Sequence, residues 1–123
     1  MSKKEMFSTY INEGYSTKGD SIILGGGLLD GEAIPNTHVK IPLKTLNRHG
    51  LIAGATGTGK TKTIQVLSEQ LSSVGIPVLM MDIKGDFSGI AKAGEELPFI
   101  TERHSKIGLP YSQSGFPVEL MTL

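Results

Sequence analysis

Residues 54–61 read Gly54-Ala55-Thr56-Gly57-Thr58-Gly59-Lys60-Thr61, the G-x-x-x-x-G-K-[ST] spacing of a phosphate-binding loop. Each residue type in it answers a demand made by a nucleoside triphosphate. Glycines let backbone N–H groups close around the phosphates, and the ammonium of Lys60 reaches the β- and γ-phosphates. The hydroxyl of Thr61 offers a ligand to Mg²⁺, and a helix starting there turns its positive end toward the anion. The expected nucleotide contacts are Gly54, Ala55, Thr56, Gly57, Thr58, Gly59, Lys60, Thr61 and Lys62. Among them Lys60 is the catalytic group, neutralising γ-phosphate charge as it develops.

A second candidate is Asp82. In Val78-Leu79-Met80-Met81-Asp82 a carboxylate follows four apolar residues, the outline of a Walker B strand, where an Asp holds Mg²⁺ through water. The competing reading is a polar residue that only ends a strand. No Glu follows Asp82 to orient an attacking water, so the catalytic half of an ATPase is not visible in this chain.

These groups need elements to hold them. Gly50-Leu51-Ile52-Ala53 is a short apolar run of the kind a buried parallel strand shows. After the loop, Ile64, Leu67, Leu71 and Val74 recur at helical spacing, and Gly75 stands where a helix ends. Ile76-Pro77-Val78-Leu79-Met80-Met81-Asp82 fits a second buried strand that closes a βαβ unit. Residues 99–107 read as a surface helix ended by Gly108, and residues 116–121 as a third strand. The fold class expected is therefore α/β, a partial P-loop NTPase core with parallel strands and crossover helices. A small β-hairpin or meander precedes it, over residues 21–43, with Asp30-Gly31 as its turn. Gly25-Gly26-Gly27 interrupts the first hairpin strand as a bulge or turn, because no helical run or Lys-Ser/Thr follows it. Residues 3–13 form either a short amphipathic helix with Met6, Tyr10 and Ile11 inward or a mobile tail. The expected divisions are residues 1–20, a helix or tail; 21–49, the hairpin lead-in; and 50–123, the first part of an ATPase domain.

Composition bounds the rest. The chain has 123 residues, 38% apolar and 20% charged, enough for one domain with a core. No apolar run approaches a membrane span. The absence of Cys excludes disulfides and thiolate metal sites and fits the cytoplasm. Twelve basic residues balance twelve acidic ones, whereas a domain that grips nucleic acid by itself carries a basic excess. His38 and His104 lie far apart with no His-x-x-x-His spacing, which argues against a metal site, and Arg48-His49 reads as a polar loop away from the phosphates. Asp82-Ile83-Lys84-Gly85 also spells the D-x-x-G of a GTPase. The base-reading N-K-x-D is absent, however, and only one helix and one strand fit between Thr61 and Asp82. A phosphotransferase would need a lid rich in Arg, and the chain has only Arg48 and Arg103.

The stretch Leu46-Asn47-Arg48-His49-Gly50-Leu51-Ile52-Ala53, continuing into the phosphate loop, resembles the start of the ATPase domain in HerA-like bacterial ATPases, of the HerA/FtsK group. Met81-Asp82-Ile83-Lys84-Gly85-Asp86 is similar to the Asp-x-Lys-Gly element of that group, and Leu28-Leu29-Asp30-Gly31-Glu32 is similar to its lead-in. The resemblance covers residues 20–120 and is most specific over 46–86. It implies ATP with Mg²⁺, a hexameric ring around DNA, and a longer chain in which the Walker B acids, an inter-subunit arginine and the DNA-facing loops lie downstream. It also implies that Asp82 marks the second strand and is not itself the Walker B acid. The function expected is thus the ATP-binding N-terminal part of a HerA-like ATPase, a DNA-translocating motor when complete. The alternative is a stand-alone nucleotide-binding regulatory module without hydrolysis.

Overall fold

Ser2 supplies what a helix start lacks. Its hydroxyl accepts from the Glu5 N–H (3.2 Å) while the Glu5 carboxylate accepts from the Ser2 N–H (2.6 Å). This capping box opens α1, Lys3–Gly14. The structure, a computed structural model, describes residues 1–122. It forms two compact units, one of Met1–Gly50 with Glu96–Tyr111, the other of Leu51–Glu95 with the described residues from Ser112 onward.

In the first unit, β1 (Ser21–Leu29) and β2 (Glu32–Pro42) pair antiparallel across Asp30 and Gly31, both at positive φ. Two successive positive-φ residues give the turn whose twist suits a hairpin, which is why Asp-Gly is found there. At the glycine triplet the bulge half of the expectation holds and the turn half does not. The strand runs through it, and the register slips at Leu24 and again between Gly26 and Gly27. The second slip takes up Pro35, Asn36 and Thr37 on β2. Thr37 is fully buried there and repairs the ladder, its hydroxyl accepting from the Gly27 N–H (3.1 Å) and donating to the Ile34 carbonyl (2.6 Å).

The triplet is small because two helices approach it. A Cβ on Gly27 would meet Phe7 of α1 and the Thr37 hydroxyl, and one on Gly26 would meet Ile107. Phe7 and Ile11 are the half-buried stripe of α1, whereas Met6 and Tyr10 are 59% and 76% exposed. The expectation of Met6 and Tyr10 inward is therefore corrected. Adjacent i, i+4 stripes on one helix look alike in sequence, and the hairpin surface selects between them. Ile107 belongs to α3 (Pro98–Ile107), which begins with Pro98 at its first turn and ends on Gly108 at φ 68°. His38 of β2 adds a further tie by donating from Nε2 to the Ile107 carbonyl at 2.9 Å.

The second unit is built on α2, Lys60–Ser73, which Gly75 ends at φ 80° with the Ile76 N–H bonded to the Leu71 carbonyl. Here the expected fold class is overturned. Among the described residues the only sheet is the two-stranded β1–β2 hairpin, and no parallel strand pair exists. Residues 50–53 and 76–82 belong to no helix or strand, with Leu51 90% and Leu79 80% exposed. Residues 116–121 are not a strand either; the Phe116 N–H donates to the Ile90 carbonyl and no ladder follows. A parallel sheet is stable only when helices cover both faces, and an apolar run specifies burial potential without specifying a partner strand.

Candidate phosphate-binding loop

Gly59 takes φ 95° as the residue before α2, and Gly57 takes φ 79° within the loop. Those left-handed conformations are why glycine is needed at these two positions. Gly59 then starts the helix, its carbonyl accepting from both the N–H (2.9 Å) and the hydroxyl (3.1 Å) of Thr63. The amides of the first helical turn have no intrahelical acceptor, so the N–H groups of Lys60, Thr61 and Lys62 all lie at the positive end of α2.

The loop closes on one acceptor, the Ala55 carbonyl. It receives the Thr58 N–H (3.3 Å), the Thr58 hydroxyl (2.6 Å) and the Lys60 ammonium (2.7 Å). Lys60 is thereby turned back across residues 55–59 instead of extending into solvent. Gly54 faces the Thr58 hydroxyl so closely that a Cβ would collide with it. Gly54, Ala55, Thr56, Gly57, Thr58 and Gly59 are exposed, Lys60 and Thr61 are half-buried, and Lys62 is exposed on α2. Of the motif Gly54–Thr61, residues 54–59 lie outside regular structure, and Lys60 and Thr61 form the first residues of α2. The role of the Thr58 hydroxyl was not foreseen.

Asp82 stands at the head of a tight loop that it organises itself. Its Oδ1 accepts from the N–H groups of Gly85 (2.8 Å) and Asp86 (3.0 Å), and its Oδ2 from that of Phe87 (3.0 Å). Gly85 permits the reversal at φ 78°. The amide of Phe87 first, then those of Asp86 and Gly85, hold the Asp82 carboxyl below its ordinary pKa of 3.8. A folded-state pKa below the unfolded one contributes stability that is complete above the unfolded value and is lost as pH falls through the lowered one. A ¹³C NMR titration of the Asp82 carboxyl is expected to give a midpoint below 3.8, with amide exchange at Gly85–Phe87 rising below that midpoint. A midpoint at or above 3.8 would mean that the three amides do not hold the carboxylate.

Two contacts tie this segment to α2. The buried Ser68 hydroxyl reaches the Met80 sulfur at 3.3 Å, and Gln65 Nε2 donates to the Asp86 carbonyl at 3.1 Å. Sequence reading missed Gln65, which looks like any polar residue off the apolar stripe. The Asp-x-x-Gly spacing that Asp82 uses is a recognisable loop signal, an Asp side chain bonding backbone a few residues on. His38 bonds the end of α3, and His104 lies against the Tyr111 ring at 4.9 Å between centroids with its buried Nδ1 unbonded among the described residues. Among the described residues no cluster of His, Cys, Asp or Glu is arranged to hold a metal ion by itself.

Residues 28–123 match a family model described as Helicase HerA-like C-terminal. The chain belongs to the HerA-like helicase family. It is similar to the DNA double-strand break repair helicase HerA of Sulfolobus acidocaldarius, 42% identical over 52 residues, which are 42% of this chain and 10% of that protein. The protein of the same name from Saccharolobus solfataricus is 40% identical over 52 residues, again 42% of this chain and 10% of the relative. The HerA-like chain described here thus spans about a tenth of the length of the curated relatives it matches. No solved structure matches it. Among its described residues no helix is long and apolar enough to cross a membrane.

Proposed function

We propose that residues 54–61 bind the phosphates of ATP together with Mg²⁺, and that the chain is the ATP-binding N-terminal part of the ATPase unit of a HerA-like helicase. The observation that carries this reading is the loop conformation. Glycines at positive φ lead into the positive end of α2, and the Lys60 ammonium is folded over the same few residues. A bound triphosphate offers Lys60 a charged acceptor in place of the neutral Ala55 carbonyl, and a hydrogen bond to a charged group is the stronger one. In this reading the amides of Thr56–Thr61 cradle the β-phosphate, Thr61 ligates Mg²⁺ and Lys62 flanks the phosphates. Asp82 would hold the ion through water, with the lone pairs its own loop leaves free.

Membership of the HerA-like family and the helicase names of the relatives support the wider part of the proposal. The whole protein is then a cytoplasmic ATPase that moves on DNA as a hexamer. Its DNA contacts lie outside this segment, whose charges balance. Calorimetric titration of the chain with ATP, in Mg²⁺ and then in EDTA, tests the core of it. One-to-one binding that tightens with Mg²⁺ is expected; no binding under either condition would overturn the reading.

A further inference from the structure

Loop 82–87 and the start of α2 are joined by one side chain, and that side chain has no part in the nucleotide contacts just described. Gln65 lies one turn beyond Lys60 and Thr61 on α2, and its Nε2 donates to the Asp86 carbonyl at 3.1 Å. The loop it grips is knotted by Asp82, whose two oxygens take the amides of Gly85, Asp86 and Phe87. Such a loop moves as a small rigid piece: displacing Asp86 displaces Asp82 and Lys84 with it. The other tie, from Ser68 to the Met80 sulfur, lies a further turn along the helix and holds the segment before the loop. Gln65 is therefore the contact closest in sequence to the phosphate loop.

We infer that Gln65 is a positioning residue that couples nucleotide occupancy at residues 54–61 to the placement of the Asp82-capped loop. The inference rests on the ATP-binding reading above. When phosphates engage the first turn of α2, that turn is restrained. Gln65 passes the restraint to the Asp86 carbonyl, so the 85–87 amides become harder to open. The bond needs a donor on residue 65. Glu has the same shape without a donor and, ionised, repels the carbonyl, whereas Lys restores a donor on a long chain. All three residues favour a helix, so neither variant threatens α2.

Hydrogen exchange at Gly85, Asp86 and Phe87 in the full 123-residue chain, with and without Mg²⁺ and a non-hydrolysable ATP analogue, is the test. In the parent and in Gln65→Lys the analogue is expected to slow exchange by about fivefold, the scale of one net hydrogen bond. In Gln65→Glu the slowing should fall below about twofold while analogue affinity stays within about twofold of the parent, because Gln65 does not touch phosphate. A merely structural tie would change exchange in the free protein and leave the analogue-induced slowing intact, which would overturn the inference. Equal slowing in all three proteins would also overturn it. If the parent binds no analogue, the ATP-binding reading fails and the inference with it; binding without any slowing in the parent defeats the inference alone.

Discussion

Lys60→Ala is expected to weaken ATP binding by about 1.5–3 kcal/mol, the range of a hydrogen bond to a charged group, or roughly ten- to 150-fold in Kd. The physical reason lies in the resting loop. Lys60 already lies across residues 55–59 with its ammonium 2.7 Å from the Ala55 carbonyl, so little side-chain freedom remains to be lost when a phosphate replaces that carbonyl. Alanine removes the ammonium and keeps the helix, since it is the strongest helix former and position 60 opens α2. Helical circular dichroism should therefore be unchanged, which separates lost binding from lost folding. Lys60→Arg should recover only part of the affinity, because a planar fork does not reproduce a compact ammonium at a point contact. Calorimetry on the three proteins decides the matter, and equal affinity in parent and Lys60→Ala would remove Lys60 from the site.

The second large effect is one of stability. Gly27→Ala places a Cβ 2.6 Å from the Thr37 hydroxyl and 2.8 Å from the Phe7 ring. Neither neighbour gives way easily. Thr37 is fully buried, and its hydroxyl serves the Gly27 N–H and the Ile34 carbonyl together. Phe7 is held on the face of α1 that packs against the hairpin. Overpacking of this kind destabilises by about 1–3 kcal/mol. The control is two residues away: a Cβ on Gly25 meets nothing within 4 Å, so Gly25→Ala should stay within about 0.5 kcal/mol of the parent. The chain has no Trp and three Tyr, and Tyr10, Tyr15 and Tyr111 all lie in the unit that contains the hairpin. Urea unfolding followed by tyrosine fluorescence thus reports on that unit. A lower midpoint for Gly27→Ala with Gly25→Ala unchanged is the expected result. Equal midpoints would mean that the close approach relaxes at no cost.

Several parts of the molecule are legible in short stretches of chain. Asp30-Gly31 announces a hairpin because a two-residue turn needs two positive φ values, and that demand is met by adjacent residues. Gly75 and Gly108 announce helix ends for the same reason, and both take left-handed conformations where α2 and α3 stop. Gly57 and Gly59 of the 54–61 motif take left-handed conformations just before α2 for the same reason. The lead-in and the phosphate-loop segment also carry enough pattern to mark the HerA-like family, and the family match over residues 28–123 agrees.

Other features depend on which distant surfaces meet. The apolar runs at 50–53, 76–82 and 116–121 satisfy the pattern of buried strands, yet a ladder requires a neighbour, and sequence periodicity does not name one. The helix stripe that turns inward, Phe7 and Ile11 instead of Met6 and Tyr10, is chosen by the hairpin it packs on. The work of the glycine triplet emerges only when Phe7 and Ile107 arrive above it. Asp82 has the residue type of a metal ligand, and the chain uses its carboxylate to gather three amides that follow it. The contact from Gln65 to Asp86 spans 21 residues and leaves no local trace at all. Signs of φ and helical spacing are written in neighbouring residues, so the sequence alone determines the turns, the helix ends and the loop. Pairing, burial and hydrogen-bond partners arise between residues far apart in the chain, and folding in three dimensions decides them.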